Sequence, residues 1–309
     1  MNPSFEKISY CGWTDCIRLL CNGIEMIVAT TFGPRILYFG FAGQENLLHL
    51  EHDQLGLTGG EDWRIYGGHR LWHAPEAMPR TYSPDNDPVE VRIIAYGVRL
   101  IQQTEASTRI QKEVDITFLP NHCGVKVLHR LRNEGLWDVE LAPWALSTLS
   151  GSGTLIIPQE PYGPADTSLL PVRAVAMWPF TKLHDPRWKW SDKFLLAVFD
   201  ADMHSEQKLG ITNTAGWMAY SLNGQVLIKS FPYDPAHTYP DLGCNAEVYI
   251  DGRFIEMETL GAQRMLKRGN TTEHIEYWAL EKLSLTPDDA SIGSQLLPRV
   301  HALQKAVRQ

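Results

Sequence analysis

Three glutamates stand close together in the stretch NAEVYIDGRFIEMET, residues 245–259: Glu247, Glu256 and Glu258. Carboxylates gathered on one surface can serve as a general base or bind hydroxyls and cations. Asp251-Gly252 is a hairpin signal, because both central positions of a type I′ turn need φ > 0. With the turn on those two residues, Ile250 faces Arg253, Tyr249 faces Phe254, Glu247 faces Glu256 and Asn245 faces Glu258. Alternation then puts Asn245, Glu247, Tyr249, Phe254, Glu256 and Glu258 on one face. Ala246, Val248, Ile250, Ile255, Met257 and Thr259 form the other, which reads as core. A one-residue slip of the turn is expected to move the glutamates apart. Two carboxylates ~5 Å apart at an effective dielectric of about 20 repel by about 3 kcal/mol. A Lys or Arg, a bound cation or a retained proton must offset this. One reading is a salt-bridged, solvated outer face. The other is a polar ligand site with a general base.

A second set of reactive groups lies in the segment 52–88, which holds Arg64, Tyr66, Gly67, Gly68, His69, Arg70, Trp72, His73 and Glu76. His69 and His73 can move protons near neutral pH. Arg70 can fork onto hydroxyls or a carboxylate, and Trp72 offers a ring face. His69, His73 and Glu76 match no helical zinc spacing, so no metal is expected. The alternative is a loop folded over a sheet edge with Trp72 as its plug. A third cluster, SFPYDPAHTYPDLG (230–243), brings His237, Tyr239 and Asp241 near the acidic hairpin, with Lys229 just before it. Lys229 should share a strand face with Met218, Tyr220 and Leu227. It is the first candidate to offset Glu247 or Glu256, against an ordinary exposed lysine. There is no phosphate-cradling loop, dinucleotide fingerprint or nucleophile elbow, so no cofactor is expected.

The elements that must carry these groups read as strands. IEMIVATTFGPRILYFGF gives two β-rich runs broken at Gly33-Pro34. Runs at 89–101, 108–119, 123–132, 137–149, 153–158, 172–178, 194–199, 217–231 and 273–283 continue the pattern. PNHCG (120–124) and Asn223-Gly224 mark hairpin turns. The segment 52–88 reads as irregular, a length more often functional than incidental. One helix is expected, over about 288–307, capped by Asp288 or Asp289 and kinked at Pro298. Its stripe of Ile292, Leu296, Val300, Leu303 and Val307 would pack on the sandwich, with a homodimer contact as the alternative. Numerous strands with little helical periodicity mean an all-β protein, a large antiparallel β-sandwich read as a single domain with a core over about 5–285.

The 309 residues, 44% hydrophobic, can bury a sizeable core. The net charge of −8, without a basic patch, argues against nucleic acid. The start MNPSFEKISY has no basic segment followed by an apolar run, and no stretch reaches the length of a membrane span. Cys11, Cys16 and Cys21 are not at zinc spacing and read as thiols in a reducing, cytoplasmic compartment. The ten Trp suit both core packing and stacking on ligand rings.

Several motifs taken in order resemble the galactose mutarotase-like (aldose 1-epimerase-like) superfamily, and more closely a branch of it without an assigned activity. These are FGPRILYFGFAGQENLLHL, GGHRLW, NEGLWDVELAPWALSTLSGSGTLIIPQ and YPDLGCNAEVYIDGRFIEMETLGAQRMLKRGNTTEHIEYWAL. The match runs from about residue 20 to 283. The resemblance implies a β-supersandwich with a small-molecule carbohydrate site on a concave face. It also implies a glutamate that takes the anomeric hydroxyl proton, which IEMETL places at Glu258. The family's acid histidine falls at about Trp144, and Trp has no labile acid proton at neutral pH. His69 or His73 would then replace the acid. Trp72 and Trp144 would stack on sugar rings. Arg70, Glu76, Lys229, Tyr239, Asp241, Glu247 and Glu256 would bind the substrate. A sugar-active isomerase and a non-catalytic sugar-binding module both remain open.

Overall fold

The computed structural model describes residues 2–120 and 123–308. The connection at 120–124 therefore lies partly outside the described residues, although the strands on either side, Ile110–Phe118 and Gly124–Asn133, pair antiparallel. Two large antiparallel sheets face one another. The first runs in the order Ser4–Tyr10, Trp13–Cys21, Ile24–Val28, Arg35–Phe41, His69–Ala74, Val139–Leu149, Ile255–Leu260, Ala246–Ile250, Gln207–Ile211 and Val175–Met177. The second runs Trp188–Trp190, Phe194–Val198, Thr154–Pro158, Trp217–Leu222, Gln225–Ser230, Thr271–Lys282, Gly124–Asn133, Ile110–Phe118, Gly97–Ile101 and Glu90–Ile94. The facing sides interdigitate in one core. Leu71, Val248, Ile250 and Met257 come from the first sheet, and Val114, Val127, Met218, Leu227 and Trp278 from the second.

The segment expected to be irregular supplies the strand His69–Ala74, which sits mid-sheet between Arg35–Phe41 and Val139–Leu149. Two glycines let it enter. Gly67 and Gly68 take φ of +85° and +75°, and a Cβ on either would lie 2.2 Å from the His49 carbonyl or 2.3 Å from that of Ile36. Its odd residues, His69 and Leu71, point into the core, while Arg70 and Trp72 point outward.

The C-terminal helix lies against the outer face of the second sheet. Asp288 caps it, accepting from the Ser291 N–H at 2.7 Å. Ile292, Leu296, Val300 and Leu303 are buried against Ile156, Phe194, Trp217, Val226 and Ile228. The stripe is thus covered within the chain and is not free for a contact between copies. Pro298 lies in the first turn of Leu297–Val307, and the turn before it, Ile292–Leu296, is widened to i→i+5 bonding. A proline cannot donate back into the preceding turn, which is consistent with that widening.

At the centre of the core lies a polar cluster that both sheets build. Lys229, fully buried, donates to both oxygens of Glu276 (3.2 and 3.1 Å) and to Ser147 Oγ (2.7 Å). Ser147 is then left to donate to His69 Nδ1 (2.7 Å). His69 Nε2 donates to His129 Nε2 (2.7 Å), and His129 Nδ1 to the His274 carbonyl (3.1 Å). Thr259 gives its proton to Glu276 (2.6 Å) and accepts from His274 Nε2 (2.7 Å), while the Trp278 indole donates to Glu276 (2.7 Å). Each of the ring nitrogens bonded in this way has one role, and the tautomers follow from that. Burial keeps the imidazoles neutral, at about 4 for His129 and about 3 for His274. Against the cost of its own burial, the Glu276 carboxylate is held ionised chiefly by Lys229. Lys229→Met would leave that buried carboxylate without its counter-charge, and urea unfolding should show a loss of about 3–5 kcal/mol; a loss under about 1 kcal/mol would refute this account of the cluster.

Candidate functional site

The hairpin that opened the sequence argument pairs Glu247 with Glu258, Tyr249 with Glu256 and Ile250 with Ile255. This corrects the expected register by two residues. The turn centres on Gly252-Arg253 rather than Asp251-Gly252, and neither Asp251 nor Gly252 takes a positive φ. Asp251 instead uses its side chain, accepting from the N–H groups of Arg253 (2.7 Å) and Phe254 (3.2 Å). Moving a hairpin turn by one place shifts the register by two, so the faces are unchanged. The glutamates stay together, contrary to the effect expected of a slip. Glu247, Glu256 and Glu258 share the outer face of the first sheet.

The cation that offsets them is Lys208, on the strand Gln207–Ile211 beside Ala246–Ile250. Its ammonium lies 2.8 Å from Glu247 Oε2 and 3.1 Å from Glu258 Oε2. It also sits between two indoles, 4.5 Å from the ring of Trp144 and 4.8 Å from that of Trp178. Burial alone would favour its neutral form, but the Glu258 and Glu247 carboxylates reverse this and hold it charged. Burial pushes Glu247 well above the usual carboxylate range despite Lys208, and the Glu258 charge adds to the push. Lys229, expected in this role, belongs to the second sheet and serves Glu276 instead. It does lie on the face shared with Met218, Tyr220 and Leu227, but that face is the core.

Above this layer opens a cavity of about 460 Å³. Trp63, Trp72, Trp144, Trp178, Phe180 and Phe254 give it aromatic walls, and Arg70, Glu76, Glu206, Lys208, Arg253 and Glu256 give it charged groups. Arg70 is 4% exposed and lies 4.0 Å from the ring of Trp72 and 5.2 Å from that of Trp63. Its Nε and Nη1 find no hydrogen-bond partner among the described residues, and its Nη2 stands 3.8 Å from Glu256 Oε1. That is an ion pair without a hydrogen bond. Burial, then the Glu258 charge, push Glu256 up to about 7, with Arg70 and Lys208 pulling the other way.

The structure does not bring all of the expected site residues together. Arg70, Trp72, Glu76, Trp144 and Glu256 line the cavity. Glu247 and Glu258 lie beneath it, fully buried; Glu258 Oε2 accepts from the Trp144 indole at 2.8 Å and from Lys208. His69 points into the core cluster, and His73 turns to the same side of its strand, away from Arg70 and Trp72. Among the described residues no histidine lines the cavity. Tyr239 stacks on Tyr233 and hydrogen-bonds to the Asp234 N–H, outside the cavity wall. Asp241 sits at the short turn Pro240–Gly243 and acts on Glu247 only through its charge. His69, His73 and Glu76 are not brought together. A different trio, His69, His129 and Glu276, places three ligand-type atoms within 4.8 Å of one another. Lys229 already supplies the positive charge there, and the proton network satisfies both rings, so the trio needs no ion.

Sequence reasoning missed Lys208, Trp178, Phe180, Glu206, Arg253 and Trp63. The signal for Lys208 was the alternation in QKLGI, where Gln207, Leu209 and Ile211 share one face.

No family model matches the sequence, and no curated protein matches it. The fold has clear likenesses among solved structures. A galactose mutarotase-like protein from Lactobacillus casei superposes with a TM-score of 0.58 at 10% identity, over 86% of this chain and 100% of that one. A TPR-domain containing protein from Parabacteroides distasonis gives 0.58 at 12% identity, over 88% of this chain and 48% of the other, so this chain spans about half its length. A provisionally assigned aldose 1-epimerase from Escherichia coli K12 gives 0.50 at 10% identity, over 91% and 100%. No helix among the described residues is long and apolar enough to cross a membrane. Two facing antiparallel sheets, superposed over the full length of the Lactobacillus casei and Escherichia coli chains, give this protein the fold of those galactose mutarotase-like structures.

Proposed function

We propose that the cavity on the outer face of the first sheet binds a carbohydrate. The observation that carries this is Arg70. A buried guanidinium with unpartnered N–H groups, held between two indoles, suits a ligand that combines oxygen acceptors with flat apolar faces. A pyranose has both. Lys208, Glu256, Glu206 and Arg253 stand around the same space to take further hydroxyls, and Trp144 and Trp178 offer further ring faces. The fold likeness supports the reading and does not name the sugar. The buried thiols of Cys16 and Cys244, outside any disulfide, support a reducing, cytoplasmic setting.

A reaction of the aldose 1-epimerase type is the second reading, and one observation favours it. Glu256 lines the cavity, its Oε1 has no hydrogen-bond partner among the described residues, and its affinity for a proton is in the range of a working general acid or base. Glu258, the base that the resemblance implies, lies behind Lys208 and Trp144, so it reaches a sugar only if those groups move aside.

Calorimetric titration with mono- and oligosaccharides should find a saturable ligand, and Arg70→Met or Trp72→Ala should weaken it at least tenfold, about 1.4 kcal/mol. A panel without a binder, or variants that bind as the parent does, would reject the site. Polarimetry of sugar mutarotation separates the two readings. A catalyst should lose about 100-fold in rate in Glu256→Gln, whereas equal rates for the parent, Glu256→Gln and Glu258→Gln leave binding alone. Glu256 also sets a stability signature. Its folded affinity for a proton exceeds the ordinary value of 4.5, so its contribution is full below about 4.5, declines as pH rises and is lost above about 7. Urea unfolding of Glu256→Gln should therefore gain on the parent between pH 5 and pH 8, by about 1–3 kcal/mol; parallel pH profiles would contradict the assignment.

A further inference from the structure

His73 belongs to a different cavity, of about 470 Å³, on the side of its strand opposite Trp72. Nothing in the carbohydrate reading uses it. His73 is 1% exposed, and neither ring nitrogen has a hydrogen-bond partner among the described residues. Its nearest charged neighbour is Glu105, with Oε2 at 3.7 Å from Nε2, too far for a hydrogen bond. That carboxylate is already committed, to Lys112 Nζ at 2.5 Å and to the Thr108 hydroxyl. Despite its burial, the Lys112 charge leads the effects that hold Glu105 ionised, down to about 2. A second residue on the same wall, the partly exposed Arg80, also carries a buried atom without a partner. Arg80 donates through Nη2 to the Pro75 carbonyl, but its buried Nε has no partner among the described residues.

Each buried polar group left without a partner costs about 1–3 kcal/mol. Two on one cavity wall point to a ligand that supplies what they lack. Burial lowers the proton affinity of His73, and Lys112 and Arg80 add to this against the pull of Glu105, so the neutral ring offers one N–H and one lone pair. Glu105 and Lys112 cancel one another. The exposed Glu61 carboxylate is at the rim, which leaves the partly exposed Arg80 guanidinium, with its buried Nε, as the inner wall's uncancelled charge. The rest of the wall combines Ser83, Ser107 and Thr108 with an apolar part built from Pro79, Pro84, Tyr82, Ile110, Val139 and Leu141.

We propose that this cavity binds a small organic acid, with its carboxylate on Arg80 Nε and the His73 N–H and its apolar body against Pro84, Ile110 and Leu141. Tyr82 ties it to the carbohydrate cavity. It lines both, its ring lies 5.1 Å from Trp72 and 5.2 Å from Trp63, and its hydroxyl donates to Glu76. An acid that shifts Tyr82 therefore acts on the indoles that flank Arg70. Any such coupling is reciprocal.

The test uses the full chain with benzoate as the probe and benzamide as its neutral counterpart. Benzoate should move the His73 imidazole NMR signals saturably, and benzamide should bind at least tenfold more weakly. Arg80→Gln, a partly exposed position, should weaken benzoate at least tenfold with an unchanged urea midpoint, and His73→Gln should do the same if it folds. No saturable shift of the His73 signals up to about 10 mM benzoate, equal binding of benzamide, or parental affinity in Arg80→Gln would each overturn the proposal. Because none of these measurements needs a sugar, the outcome is independent of whether the carbohydrate reading stands.

Discussion

Glu247 and Glu258 face one another across a hairpin because the Lys208 ammonium lies within 3.1 Å of both. Without that charge the pair would repel by about 3 kcal/mol at an effective dielectric of about 20, in the middle of a sheet that has to stay closed. The cation does more than neutralise. It is held between Trp144 and Trp178, and the Trp144 indole donates to the same glutamate. The floor of the cavity is therefore one bonded unit of two acids, one base and two rings. Gly210 belongs to the arrangement too, since a Cβ there would meet Cys244 Sγ at 2.7 Å and the Trp178 ring at 3.2 Å.

The same strands carry a second ionic system on their other side. Glu258 points out to Lys208, while Thr259, the next residue, points in to Glu276 and His274. On the neighbouring strands, Arg70 and Trp144 face the cavity, whereas His69 and Ser147 face the core cluster. Strand pleating keeps the two systems apart by the thickness of one sheet. It also explains why histidines adjacent in sequence to the cavity residues do not reach the cavity.

Much of this was legible in the chain. The parity of the hairpin, the runs of β-rich sequence and the apolar stripe of the last helix are local properties, and all three appear in the structure. The strand His69–Ala74 was not legible, for a physical reason. Both of its faces are buried, and each mixes polar with apolar residues: His69, Leu71 and His73 on one side, Arg70, Trp72 and Ala74 on the other. The alternation that marks a half-buried strand cancels when both sides carry charge and bulk. Gln207–Ile211 escaped notice because a lysine and a glycine occupy its outward positions.

The sequence by itself determined which side chains share a face, since backbone alternation is a local rule, and hence that three glutamates would stand together on an antiparallel sheet. It could not say which lysine would join them. Lys229 and Lys208 are both close to the acidic hairpin in number, yet one lies inside the sandwich and the other beside the glutamates. That choice rests on the order in which distant strands pair and on which sheet face the packing closes off. Only the tertiary structure decides either.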